Sequence, residues 1–240
     1  MKFISYEAVR FSALPGEVTT FANCTNFFFN GISPTTFPNN NHYKEICQCL
    51  PNQPVYYYAT LYDTANRIPV YSAYQFHHGN NRRQTTWYIE PQGITHQATN
   101  DDYKKSGYDK GHLYPVRHTS TPDQMEATFT LTNAAPQNLT FNRGNWSQHE
   151  DQLVDILKKC RSAFVVTGVV PGARTINNRV RVAAYYWSAY CCNNGMTLRS
   201  GGFIGPKKGK VESMTVKNLE AMLKSVNQLK PKTPNFDSKQ

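Results

Sequence analysis

Tyr108-Asp109-Lys110-Gly111-His112-Leu113-Tyr114-Pro115, then Asn133-Ala134-Ala135-Pro136-Gln137, then Phe141-Asn142-Arg143-Gly144-Asn145-Trp146 with Glu150 beyond, is the run on which the reading of this chain turns. From Asn142 onward, Trp146, His149, Glu150, Leu153 and Leu157 recur at i+4, i+7, i+8, i+11 and i+15, one stripe of an α-helix. The stripe is polar at its start and apolar beyond. Its far end is therefore expected in the core, while Asn142 and Glu150, about two turns apart, face a shared cleft. A polar pair carried on a core-packed helix is what a rigid site requires. Asparagine is also a preferred helix cap, so the stripe alone leaves Asn142 open between cap and site residue.

Outward from this run the chain reads as strands. Residues 55–62 and 67–76 are β-branched and aromatic, and Asp63-Thr64-Ala65-Asn66 between them predicts a hairpin. Residues 164–170 and 182–190 have the same character, the second leading straight into Cys191-Cys192. A last helix is expected over residues 216–226, with Val216, Leu219, Met222, Leu223 and Val226 on one face and Thr215 as its N-cap. Residues 1–54 read as an irregular, cysteine-bearing extension packed on the core, residues 55–230 as the main domain, and 231–240 as a mobile polar tail.

The 240 residues are 39% hydrophobic and 13% aromatic, which excludes a disordered chain. No run reaches the roughly 18 apolar residues of a membrane-spanning helix. Twenty-six Lys and Arg against sixteen Asp and Glu give a net charge of +10, which favours polyanionic partners, with plain solubility as the competing explanation. The six cysteines, Cys24, Cys47, Cys49, Cys160, Cys191 and Cys192, allow up to three disulfides of open connectivity. A structural zinc on Cys47, Cys49, Cys191, Cys192 and His42 is the competing use, but neither cysteine pair has the usual ligand spacing. Sequons at Asn23, Asn138 and Asn145 are compatible with secretion. Lys2, Glu7 and Arg10 interrupt any apolar signal segment, so a leader is expected to have been removed or never present.

In order and spacing, the run from Tyr108 to Glu150 resembles the DNA/RNA non-specific endonuclease family, the ββα-metal or His-Me finger nucleases. Phe27-Phe28-Phe29, Leu61-Tyr62-Asp63, Arg67-Ile68-Pro69-Val70-Tyr71-Ser72, Ala127-Thr128-Phe129-Thr130-Leu131-Thr132 and Ser213-Met214-Thr215-Val216 are similar to its vertebrate branch of endonuclease domain-containing 1-like proteins. The resemblance implies an α+β fold, a mainly antiparallel sheet flanked by helices, with the site on a ββα-metal element.

It also implies roles. Phosphodiester hydrolysis needs a base for water, positive charge on the transition state and help for the leaving oxygen. His112 falls at the position of the general base, where a neutral imidazole suits work near pH 7. Asn142 falls at the direct ligand of Mg²⁺, for which Mn²⁺ is the substitute, and Glu150 at the acid that holds the metal through water. Asn133 matches a second active-site asparagine, its role open between substrate and support of the histidine region. Lys110 stands where many members carry arginine, supplying charge without the bidentate fork. Asp109 either orients the loop or partners a histidine. Arg82, Arg83 and Arg143 join Lys110 as phosphate-binding candidates.

The implied activity is hydrolysis of DNA and RNA to 5′-phosphate products, reading backbone rather than bases. A secreted or lumenal location is expected, and homodimers occur in the family. Two other readings stay open: a catalytically silent polyanion-binding or immune-interaction module on the same fold, and a phosphodiesterase of small nucleotides.

Overall fold

The computed structural model describes residues 16–37, 39–50, 53, 55–79, 85–90 and 96–228. Among these, eight strands form one antiparallel sheet. In spatial order they are β1 (Gly16–Val18), β2 (Tyr43–Cys49), β3 (Tyr56–Asp63), β4 (Ile68–Gln75), β7 (Ser162–Ile176), β8 (Val180–Asn193), β9 (Leu198–Pro206) and β10 (Glu212–Met214). The remaining two strands, β5 (Tyr108–His112) and β6 (Ala134–Asn138), pair separately as an antiparallel ribbon. The helices are α1 (Asn100–Tyr103), α2 (Pro122–Thr128), α3 (Leu139–Phe141), α4 (Ser147–Leu157) and α5 (Val216–Gln228). The expected mainly antiparallel α+β architecture is thus the one observed, and the ribbon followed by α3 and α4 is its ββα element.

Local chemistry accounts for the elements. The expected hairpin is β3 and β4, closed by Asp63, whose Oδ1 accepts from the backbone N–H groups of Ala65 (2.9 Å) and Asn66 (3.0 Å). In β8, the period of two sends Tyr186 and Ser188 to the face that carries the ββα element. Trp187 and Ala189 go to the opposite face, where α5 and the N-terminal segment pack. Thr215 caps α5 by accepting from Asn218 N–H at 3.2 Å, and Leu219 and Leu223 are buried beneath it. Met222, expected on that buried face, is 39% exposed, because it lies about 60° round the helix from Leu219.

The boundary expected after residue 54 falls inside a hairpin. Residues 43–49 pair with 56–63 over seven positions, so the N-terminal segment contributes strands to the main sheet. Its Phe21, Cys24, Phe27 and Phe28 share a core cluster with Tyr71, Trp187, Leu219 and Leu223. The expected tail, residues 231–240, lies outside the described residues.

Two disulfides form, Cys24–Cys47 and Cys160–Cys192. The first pins the N-terminal segment to β2 and the second ties the end of α4 to β8. Cys49 and Cys191 make no third bridge. Three strands separate β2 from β8, which at about 4.8 Å per strand is ~19 Å, far beyond the ~7 Å limit between bridged Cα atoms. With Cys47 and Cys192 bridged, no group of three or more His, Cys, Asp or Glu among the described residues is placed to hold a metal.

Gly168 on β7 lies opposite Trp187, and a Cβ there would collide with the indole and with the Val70 carbonyl oxygen. Gly168→Ala is therefore expected to cost about 2–3 kcal/mol, a fall in melting temperature of roughly 5–10 °C by calorimetry; an unchanged melt would contradict this packing.

Candidate active site

The β5–β6 ribbon sets Asp109 against Gln137, Lys110 against Pro136, Gly111 against Ala135 and His112 against Ala134. Gly111 has no alternative, because a Cβ there would stand 2.7 Å from the Cβ of Gln137 and nearer still to its amide oxygen. β6 runs directly into the helix, and the cap is Asn138, whose Oδ1 accepts from Phe141 N–H at 3.2 Å. Asn142 is thereby one turn inside the helix and released from capping duty.

Residues 142–146 form a π turn joining α3 to α4, with Gly144 at φ −110°, ψ −106°. Wide turns of this kind insert one residue into the helical register. The kink at Gly144 breaks the regular helical register between Asn142 and Glu150. Trp146 at the end of the π turn and His149, Leu153 and Leu157 beyond it are buried. The Trp146 ring packs on Tyr186 with centroids 5.5 Å apart, and His149 Nε2 lies 2.8 Å from Ser188 Oγ.

A cleft of about 520 Å³ opens where ribbon and helix meet, lined by Asp109, Lys110, Asn142 and Arg143 together with Trp87, Tyr103 and Lys104. Asp109 organises it. Its Oδ2 accepts from Asn142 Nδ2 (2.9 Å) and Arg143 Nε (3.0 Å), and its Oδ1 from Arg143 Nη2 (2.9 Å). Asp109 thus holds the Asn142 amide and the Arg143 guanidinium in place. Because an ionised carboxylate only accepts, Asn142 must present its amino group there, leaving Oδ1 as the end that can bind a cation. One amide oxygen beside the single carboxylate of Asp109 offers only hard oxygen donors, the kind a well-hydrated ion such as Mg²⁺ takes while keeping most of its water.

Lys110 holds its Nζ 5.6 Å from the Trp87 ring centre and 5.7 Å from that of Tyr103. Partial burial lowers its pKa, while the two ring faces favour the cation. These two aromatics were not foreseen as site residues, since they come from segments with no local motif. Arg143 is exposed and already commits two donors to Asp109.

His112 ends β5 but does not line the cleft. It is 6% exposed, its ring 4.5 Å from Trp87 and 4.8 Å, edge to face, from Phe129. Asn133 is fully buried. Its Oδ1 accepts from Ser72 Oγ and Tyr114 N–H, and its Nδ2 donates to the carbonyls of Tyr114 and Thr128. Its polar capacity goes to Ser72 and to the backbone of Tyr114 and Thr128, Tyr114 lying two residues after His112. Glu150 lies beside Arg117, Oε2 to Nη1 3.7 Å, and is absent from the cleft lining. Arg82 and Arg83 lie outside the described residues.

A sequence model described as DNA/RNA non-specific endonuclease matches residues 38–239. The chain belongs to the DNA/RNA non-specific endonuclease family. Human Endonuclease domain-containing 1 protein is 32% identical over 241 residues, covering 86% of this chain and 46% of that protein. Human mitochondrial Endonuclease G is 36% identical over 74 residues, 30% of this chain and 25% of that protein. The chain spans about half the length of the endonuclease domain-containing 1 relatives it matches. A chain in a crystal structure of an EndoG/EndoGI complex superposes with a TM-score of 0.63 at 19% identity, over 80% of this chain and 91% of that one, which establishes a shared fold.

Two buried histidines fix the helix of this family member. His118 Nε2 donates to the Glu150 carbonyl at 3.1 Å and its Nδ1 accepts from Tyr74 OH at 2.9 Å. Burial lowers the pKa of His118 to about 4 and that of His149 to about 3. Both are neutral when folded, whereas an unfolded chain protonates them below pH ~6.5. Their contribution to stability is therefore complete above that pH and is lost as pH falls toward about 4 and about 3. Urea midpoints should decline measurably between pH 6.5 and 5, above the range where carboxylates titrate; a flat profile there would contradict the buried neutral imidazoles.

Proposed function

We propose that this chain is a Mg²⁺-dependent, sugar-non-specific endonuclease that hydrolyses phosphodiester bonds of DNA and RNA to 5′-phosphate products. The observation that carries the reading is the convergence of Asp109, Lys110, Asn142 and Arg143 on one cleft of a ββα element whose first strand ends in His112. Membership of the nuclease family and the similarity to Endonuclease domain-containing 1 protein and Endonuclease G support it. The two disulfides support a secreted or lumenal location.

In this reading Asn142 Oδ1 holds the metal directly and Glu150 holds it through water. When bound, Mg²⁺, or Mn²⁺ in its place, neutralises phosphate charge and stabilises the leaving oxygen. Lys110 supplies a second positive charge to the phosphate, kept in place by Trp87 and Tyr103. Asp109 keeps Asn142 and Arg143 in register. His112, whose ring packs against Trp87 and Phe129, takes the proton of the attacking water.

The same cover over His112, with lysine at position 110, favours a second reading: a catalytically silent module that binds polyanions. Incubation of supercoiled plasmid with Mg²⁺ and with EDTA separates the two. The enzyme nicks only with Mg²⁺, and His112→Ala is expected to lower the rate by roughly 10²–10⁴-fold while DNA binding persists. Equal cleavage by His112→Ala would remove the base assignment, and intact plasmid with demonstrable binding would favour the silent module. Asn142→Ala should shift half-maximal activity to a much higher Mg²⁺ concentration; an unchanged metal titration would remove it as the ligand.

A further inference from the structure

Between β9 and β10 the chain runs Lys207-Lys208-Gly209-Lys210, all four residues exposed. None of the three lysines takes part in an ion pair among the described residues, and Glu212, two residues on, is the acid that follows them. Three like charges on so short a loop repel one another, yet the loop is firmly placed. Lys207 N–H donates to the Ala184 carbonyl at 2.9 Å, and Val211 packs into the core beside Phe141 and Gly205. Its middle is fastened to the candidate site itself: Asn145 Nδ2 donates to the Gly209 carbonyl at 2.6 Å. Asn145 belongs to the same π turn as Asn142 and Arg143, which line the cleft. The loop is thus a cationic surface held at a fixed offset from the cleft by the helix turn that builds it.

We propose that Lys207, Lys208 and Lys210 form a phosphate ramp, onto which a nucleic-acid strand seated in the cleft continues after passing the π turn. The ramp grips about three phosphates by charge, without reading bases. It rests on the reading of the cleft as a nucleic-acid site and deepens it. Polymers bind to cleft and ramp together, whereas a dinucleotide fills the cleft alone.

The test uses the full chain carrying Lys207→Ala, Lys208→Ala and Lys210→Ala together, none of which removes a side-chain ion pair among the described residues. The control carries Lys217→Ala and Lys224→Ala, two exposed lysines of α5 on the opposite face of the sheet. Duplex DNA affinity is measured between 50 and 200 mM salt, and cleavage is measured on plasmid and on a dinucleotide. In the triple variant the slope of log affinity against log salt should become shallower by about 2–3. Its KM for plasmid should rise at least tenfold, with dinucleotide cleavage unchanged and the control close to wild type. A wild-type slope and wild-type plasmid KM in the triple variant would overturn the ramp while leaving the nuclease reading intact. An equal loss per lysine in the control would overturn it as well. If the wild-type chain cleaves neither substrate but the triple variant alone loses salt-dependent affinity, the ramp stands and only the nuclease reading falls.

Discussion

Tyr186 is the joint on which the molecule depends. Its hydroxyl donates to the carbonyl of Pro136 at 2.9 Å, which fixes β6, and its ring packs against Phe141 and Trp146, which fixes the helix. One buried side chain of the central sheet therefore locates both halves of the ββα element. A ribbon of two strands has no independent stability in water, so this docking is what makes the ribbon a platform. His149 on Ser188 and His118 on Glu150 repeat the device further along the helix, each through a neutral imidazole that burial keeps uncharged.

On that platform the electrostatics of the cleft are arranged by Asp109. A single carboxylate meets an amide and a guanidinium, and the acceptor-only chemistry of its oxygens decides which end of Asn142 faces outward. Lys110 is held differently: its Nζ sits over two aromatic rings and takes part in no ion pair among the described residues.

The net charge of +10 acquires a location in this picture. Lys104, Lys110 and Arg143 line the cleft, and the exposed lysines of the β9–β10 loop are tied to it through Asn145. That bond uses Nδ2, the atom to which a glycan would attach at the Asn145 sequon, so protein packing and modification compete for the same group.

Local sequence determined much of this protein. The hairpin at Asp63, the capped helix after Thr215 and the alternation in β8 follow from short-range pattern, because turns, caps and strand faces are set by neighbouring residues. The ββα element was legible only through the resemblance of the run from Tyr108 to Glu150 to a known family, a run whose members lie on consecutive segments. Tertiary structure alone decided the rest. The sheet strands contributed by the N-terminal segment, the separation of Cys49 from Cys191, the aromatic cradle of Lys110 and the burial of His112 all depend on residues far apart in the chain. No local pattern encodes such contacts; they exist only once the sheet has brought the segments within reach, where burial and hydrogen bonding outweigh local preference.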